Sequence, residues 1–333
     1  MPVLAACAAK SGGIVTQTVG KPVYMNEKIN GISVIVCYRD PVRCEKLKNS
    51  IADTIGVEYE IIAFDNSIEK WGLCRVYNHC AKKAGCRYLC FIHEDVVIVT
   101  KDWGAALIKF AESTPDCGVI GIAGGTVAHK NFILWNDGWP DNNIRYRFWD
   151  PAEGKYGADG TPIIKSYNPD NAAFAKVVTL DGCFLFASWD LCAQKPFDEG
   201  TFTGFHLYDA DFTLKIAQTK QNYVCCKIDI YHYSGGTHND DFCRGVRKFQ
   251  IKWRSVLPFS VGSEKISGWR ELNLATEYIG KCLRSKAYGW GGSISHSVRL
   301  NGYVFTAATP FCFCVRKILK LLTKLKILKK RET

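Results

Sequence analysis

This sequence predicts an α/β architecture, a mainly parallel sheet flanked by helices, and three observations carry that expectation. Ile32-Ser33-Val34-Ile35-Val36-Cys37-Tyr38 and Tyr88-Leu89-Cys90-Phe91-Ile92 are near-continuous apolar runs, of the length and composition of strands buried on both faces. Between such runs lie stretches with apolar residues at helical spacing, and this β-α-β-α-β order predicts right-handed crossovers and a parallel sheet. The run at 88–92 ends abruptly in His93-Glu94-Asp95. In an open α/β sheet that edge is where ligands bind.

The elements follow in order. Asp40-Pro41 opens a helix that continues to about Thr54. Glu60-Ile61-Ile62-Ala63-Phe64 is a second strand, ending in Asp65-Asn66-Ser67. Leu73, Val76, Tyr77, Cys80 and Ala84 mark a helical face, and the strand over 88–95 follows it. Trp103 to Phe110 is helical and Gly118 to Ala123 is a further strand. From Gly124 to about Ala175 periodicity fades into Gly, Asn, Asp, Pro and Trp, which indicates a functional insertion rather than a linker. Its Trp135, Trp139 and Trp149 suit stacking on sugar faces, and suit equally a local mini-core under a long loop. Val177 to Leu185 resumes as a strand, Asp209 to Thr219 as a helix and Tyr223 to His232 as a strand. The resulting division is an N-terminal extension (1–30), an α/β core (31–260) that contains the insertion, and a C-terminal helical appendage (261–333).

The 333 residues are 47% hydrophobic and 23% charged, a composition that fits a soluble globular chain. Sixteen cysteines are scattered with no Cys-x-x-Cys, which argues against a zinc ribbon or a thioredoxin-type pair and favours a reducing compartment. The net charge of +11 is uneven: Arg316 to Arg331 holds eight basic residues with Glu332 the one acid nearby, so this tail carries +7. Val315, Ile318, Leu319, Leu322, Leu325 and Leu328 lie on one helical face of the same segment. A basic amphipathic tail reads as an anchor for an anionic membrane surface, or as a helix packed on the domain with a solvated lysine face. No apolar run reaches the ~18 residues of a spanning helix, and no aromatics interleave with the tail lysines, which argues against nucleic acid. The expected location is cytoplasmic, peripheral on the inner face of the cytoplasmic membrane.

The order of these features resembles the family-2-like glycosyltransferases with the GT-A fold, a Rossmann-like nucleotide-diphospho-sugar transferase architecture. Their first strand has the form V-S-V-I-I-P-T-Y-N, and Ile32 to Asp40 is similar. Their second strand ends in an acidic turn holding the nucleotide's base and ribose, matched by Asp65-Asn66-Ser67. Asn78 to Gly85 fits the N-x-x-x-x-x-A-x-G helix. The Asp-x-Asp that ends their third strand is His93-Glu94-Asp95 here, as in a bacterial subgroup whose strand ends His-Glu-Asp-Val. Asp181-Gly182 looks like the acceptor-side glycine turn, and Tyr208-Asp209-Ala210-Asp211-Phe212 like the E-D-x-D-L helix start whose first aspartate is the base. The resemblance spans about residues 31–255. It implies an inverting transfer from a nucleotide-diphosphate sugar to a glycan or lipid-linked acceptor. Tyr38, Asp65, Asn66, Ser67, Glu94 and Asp95 would surround the donor, and Asp181, Gly182, Asp211, Trp135 and Trp139 the acceptor.

The chemistry can be followed on the residues. Adjacent Glu94 and Asp95 repel unless a cation or open solvent relieves them, so the pair is either a hard-metal site or a solvated turn. A departing diphosphate needs its growing charge stabilised, and carboxylate ligation favours Mn²⁺ or Mg²⁺ over Zn²⁺. Asp95 is the first choice of ligand. His93 shares its direction by the two-residue strand period, whereas Glu94 points the other way, back towards a helix. His93 is then a metal ligand, a ribose contact or a core histidine; as a ligand it tilts preference to Mn²⁺. His232 ends a strand before a flexible Gly235-Gly236 loop and is a candidate third ligand, with His238 a weaker competitor. Asp209, beside a helix start, is either the general base for the acceptor hydroxyl or an N-cap. Asp211 has a structural or acceptor-orienting role. A sugar nucleotidyltransferase would want a glycine-rich phosphate loop after the first strand, and Arg39-Asp40-Pro41-Val42-Arg43 has no glycine. A non-catalytic, membrane-peripheral scaffold is the other reading, drawing on the histidine at position 93.

Overall fold

The structure is a computed structural model that describes residues 14–18, 28–137, 144–150, 154–234, 239–262, 266–285 and 287–301. Its first half follows the predicted alternation: β1 (Ile14–Thr18), β2 (Ile29–Tyr38), α1 (Pro41–Thr54), β3 (Tyr59–Asp65), α2 (Leu73–Ala81), β4 (Cys86–His93), β5 (Val96–Ile98), α3 (Trp103–Ser113) and β6 (Cys117–Gly121). Asp40 starts α1 as its side chain accepts from the Val42 and Arg43 amides, and Pro41 at the first helical position loses no hydrogen bond. The short β-branched run Ile14–Thr18, inside the predicted extension, pairs antiparallel with β3.

The predicted structureless insertion carries short strands instead: β7 (Ala123–Gly125), β8 (Val127–Ala128), β9 (Ile144–Phe148), β10 (Lys155–Tyr156), β11 (Pro162–Ile163) and β12 (Lys165–Tyr167). They are too short to show a period, which is why the sequence pattern fades there. The single strand expected over 177–185 is three pieces, β13 (Phe174–Val177), β14 (Thr179–Leu180) and β15 (Phe184–Ser188), broken by the Asp181-Gly182 turn. After α4 (Trp189–Gln194) and α5 (Tyr208–Ala217), the strand expected over 223–232 is also split, into β16 (Gln221–Cys225) and β17 (Ile230–His232). The chain continues through α6 (Asp240–Lys252), β18 (Phe259–Ser260), α7 (Gly268–Ser285) and α8 (Gly289–Asn301).

The main sheet has eight strands in the order β1-β3-β2-β4-β15-β6-β16-β13. β2, β3, β4, β6 and β16 run one way, and β1, β15 and β13 run against them. The sheet is therefore mainly parallel, with β15 inverted at its centre. Alternate side chains pack on opposite faces, as the pleat requires. Val34, Val36, Cys90, Ile92 and Phe186 meet Leu47 and Ile51 of α1 and Trp103 and Leu107 of α3. Ile35, Leu89, Phe91 and Leu185 meet Val76 and Tyr77 of α2, Phe212 and Leu214 of α5 and Phe249 of α6. Leu274, Tyr278 and Cys282 of α7 join this second core, so the helix is packed onto the same layer as α2, α5 and α6. Glu271 fastens it further, accepting from the Lys130 and Asn131 amides at 2.9 Å.

Candidate active site

The inversion of β15 brings the start of that strand to the sheet edge where β4 ends. His93 donates its backbone N–H to Cys183 O at 3.1 Å, so the Asp181-Gly182 turn lies beside the His93-Glu94-Asp95 turn. Antiparallel pairing of β17 with β5 sets His232 opposite Val96, and the Tyr233 amide donates to Asp95 O at 2.9 Å. Helix α5 presents Tyr208 and Asp209 from the other side. Together these elements enclose a cavity of about 430 Å³. Its polar side holds His93, Glu94, Asp95, Asp181, Asp209 and His232, and its apolar side includes Phe132, Leu134, Trp135, Phe148 and Phe205.

One ligand atom each of His93, Asp95 and His232 lies within 4.8 Å of the others. His232 Nε2 is 3.5 Å from Asp95 Oδ1 and, though buried, has no hydrogen bond among the described residues. With that nitrogen facing a carboxylate at 3.5 Å without a formed hydrogen bond, and a second imidazole beside them, the donor set fits a divalent metal. Burial pushes His93 down to about 4, with the His232 charge acting in the same direction, which keeps the imidazole neutral at pH 7. Burial opposes the charges on His232 and Asp95, but their contact outweighs it: His232 is raised and Asp95 lowered. Glu94 points away from the cluster, its Oε2 accepting from the Arg39 and Asp40 amides at 2.7 and 2.9 Å, as the strand period predicts.

Asp209 is half-buried, and its Oδ2 accepts from the Gly182 amide at 2.9 Å. Burial, followed by the nearby Asp181 charge, pushes its carboxyl up to about 7. A carboxylate near 7 is matched to proton abstraction at neutral pH. Asp181 accepts from Trp135 Nε1 at 2.7 Å and from the Cys183 amide at 2.8 Å. The turn needs glycine at 182, because a Cβ there would lie 2.0 Å from the Tyr208 hydroxyl.

Other sequence-predicted residues fall elsewhere. Tyr38, Asp65, Asn66 and Ser67 lie at the same sheet edge but do not line the cavity. The Asn66 side chain is engaged at both ends, accepting from Trp71 N and donating to Trp71 O at 2.8 Å, so it closes its own loop. One Asp65 oxygen accepts from the Ser67 amide at 2.9 Å. Asp211 is not at the acceptor side: it is 1% exposed and bonded to Lys252 Nζ at 2.6 Å and Trp253 Nε1 at 2.8 Å. Trp149 is a mini-core residue, buried against Tyr156, Tyr231 and Tyr233. Trp135 lines the cavity, while Trp139, His238, Gly235 and Gly236 and the basic tail lie outside the described residues. Sequence reasoning passed over Tyr208 and Phe205. The first stands where the resembled motif has Glu. The second is a 54% exposed aromatic in a Thr- and Gly-rich loop, its ring 5.5 Å from that of His93.

A sheet edge with acidic and imidazole side chains, facing a half-buried carboxylate across a cavity, is the site plan of a group-transfer enzyme of the α/β class. Residues 33–242 match the Glycosyltransferase like family, and the chain belongs to it. No curated protein matches the sequence. Among solved structures, Staphylococcus aureus TarS 1-349 in complex with UDP is 11% identical over 85% of this chain and 88% of that one, with a TM-score of 0.48. The same fragment with UDP-GlcNAc gives 13%, 84%, 78% and 0.45. GalNAc-T7 with UDP, GalNAc and Mn²⁺ gives 11% identity over 76% of this chain with a TM-score of 0.45, and the chain spans only 55% of that structure. Among the described residues no helix is long and apolar enough to cross a membrane.

Proposed function

We propose that the chain transfers a sugar from a nucleotide-diphosphate donor to an acceptor hydroxyl, with inversion at the anomeric carbon. The observation that carries this reading is the meeting, in one cavity, of the His93–Asp95–His232 cluster with Asp209. Those three side chains would hold a divalent cation, and the mixed imidazole and carboxylate set favours Mn²⁺ over Mg²⁺. When bound, such an ion neutralises charge on the leaving diphosphate. Asp209, with its carboxyl raised to about 7, takes the proton of the attacking hydroxyl, and the Gly182 amide orients it. Among the described residues of the cavity the other carboxylates are committed, Asp95 to His232, Glu94 to the Arg39 and Asp40 amides and Asp181 to Trp135 Nε1, which supports a single displacement with inversion. Trp135 and Phe148 form an apolar wall suited to the face of a sugar acceptor. The scaffold reading loses its main support, since the histidine at 93 joins the cluster rather than dismantling it.

Calorimetry with UDP as probe, with and without Mn²⁺, tests the reading. Binding should require the metal, and Asp95→Asn should weaken it severely while the melting temperature without metal stays close to wild type. Equal affinity of the Asp95→Asn and wild-type proteins in Mn²⁺ would refute the site.

A further inference from the structure

We infer that Tyr208 is a positioning residue for the metal centre: it locks His93 in the tautomer whose lone pair is on Nδ1, the nitrogen then offered to the cation beside Asp95 and His232. The inference rests on the metal reading above. The Tyr208 hydroxyl is 2.7 Å from His93 Nε2 and donates to Gly182 O at 3.0 Å. A carbonyl oxygen only accepts, so both contacts are hydrogen bonds at once only when the single hydroxyl proton lies on the Gly182 side. In that arrangement the phenol oxygen accepts from His93, which places the imidazole N–H on Nε2 and leaves Nδ1 unprotonated. A ligating histidine is commonly oriented in this way by the partner of its other nitrogen.

The phenol cannot swing away easily. Tyr208 is 2% exposed, and its ring packs against Tyr77 at 5.7 Å and Phe197 at 6.1 Å. Glycine at 182 is what allows the hydroxyl to close on the carbonyl, since any Cβ would occupy its place. The N–H of that same residue holds Asp209 at 2.9 Å. Gly182 therefore serves the base through its amide and the metal ligand, through Tyr208, by its carbonyl.

Two measurements on the full chain without substrate test this. In the metal-free wild type, nitrogen-15 NMR of the imidazoles should show His93 protonated at Nε2; a signal for protonation at Nδ1 would overturn the inference. Titration with Mn²⁺ alone should give an affinity for Tyr208→Phe about 10-fold or more below wild type, the usual effect of removing a partner of a ligand. In the His93→Ala background the same change should have no further effect, because the coupling runs through the imidazole. Unchanged or tighter Mn²⁺ binding by Tyr208→Phe would overturn the inference while leaving the metal reading standing. An equal loss in the His93→Ala background would also overturn it, by showing that the hydroxyl acts on the fold. A wild-type protein that takes up no Mn²⁺ would remove the metal reading and this inference with it.

Discussion

Lys252→Met would leave Asp211 buried without its cation, and the size of the loss can be worked from the structure. Lys252 Nζ lies 2.6 Å from Asp211 Oδ1 and 2.6 Å from Asp198 Oδ2, tying α6 to α5 and to the loop before it. At an effective dielectric constant of about 20, unit charges at that separation attract by roughly 6 kcal/mol, much of which desolvation offsets. Removing one partner of a buried pair costs about 3–5 kcal/mol, because the remaining charge is stranded. Asp211 can escape by taking a proton. Burial already holds its carboxyl above the usual range, against the opposing effect of Lys252, so the variant should raise it further. A carboxyl raised in the folded state gives stability that is present below its unfolded value near 4 and lost as pH rises through the folded value. Urea unfolding should therefore show a loss of about 1 kcal/mol at pH 5 growing to about 3–4 kcal/mol at pH 8. Asp198→Asn, which removes the more exposed partner, should cost under about 1 kcal/mol at either pH. A loss for Lys252→Met that does not change with pH, or that stays under about 1 kcal/mol at pH 8, would refute the stranded-charge reasoning.

Asp209→Asn should lower turnover by at least about 10² while sparing donor binding, and wild-type turnover should fall as pH drops through about 7, where the base becomes protonated. Retention at the anomeric carbon, seen by NMR of the product, would exclude the single displacement. Deleting residues 315–333 should abolish flotation on anionic liposomes, and flotation of the full chain should weaken with salt, since each basic residue near such a surface contributes about 1 kcal/mol that salt screens. Equal flotation of both proteins would favour a packed helix.

The first half of the fold was legible because its signals are local. Buried runs such as Ile32–Tyr38, an Asp-Pro helix start and the face of Leu73, Val76, Tyr77 and Cys80 each declare themselves within a few residues. Of the cluster, His93 and Asp95 follow from the two-residue strand period, and His232 from its place at a strand end. The break at Asp181-Gly182 was not legible, because apolar residues continue on both sides and the turn is set by contacts with α5, 26 residues away in the Tyr208–Gly182 bond. Of the two roles left open to Asp211, structural or acceptor-orienting, the first could have been preferred from the sequence. Two residues along a helix turn the side chain by about 200°, so Asp209 and Asp211 cannot face the same cavity. Tyr208 escaped because a phenol conveys no charge in a sequence; its role depends on a carbonyl and an imidazole that only the folded chain brings together.

The inverted central strand also governs the order in which the chain can be assembled on the ribosome. β2, β3 and β4 can pair as soon as residue 93 has emerged, and β6 is complete at residue 121. Yet β4 and β6 are not paired with each other; β15 lies between them and ends only at residue 188. At about 5–20 residues per second, roughly 3–13 s pass between the end of β6 and the end of β15. Throughout that interval the apolar edge of β4 is open and β6 has no partner. Direct pairing of β4 with β6 would fill the slot with a parallel strand, and the turn that carries Gly182 would then have no place beside His93. The nascent chain is thus most exposed to mispairing in the window when the two strands flanking its future active site are both waiting for the third.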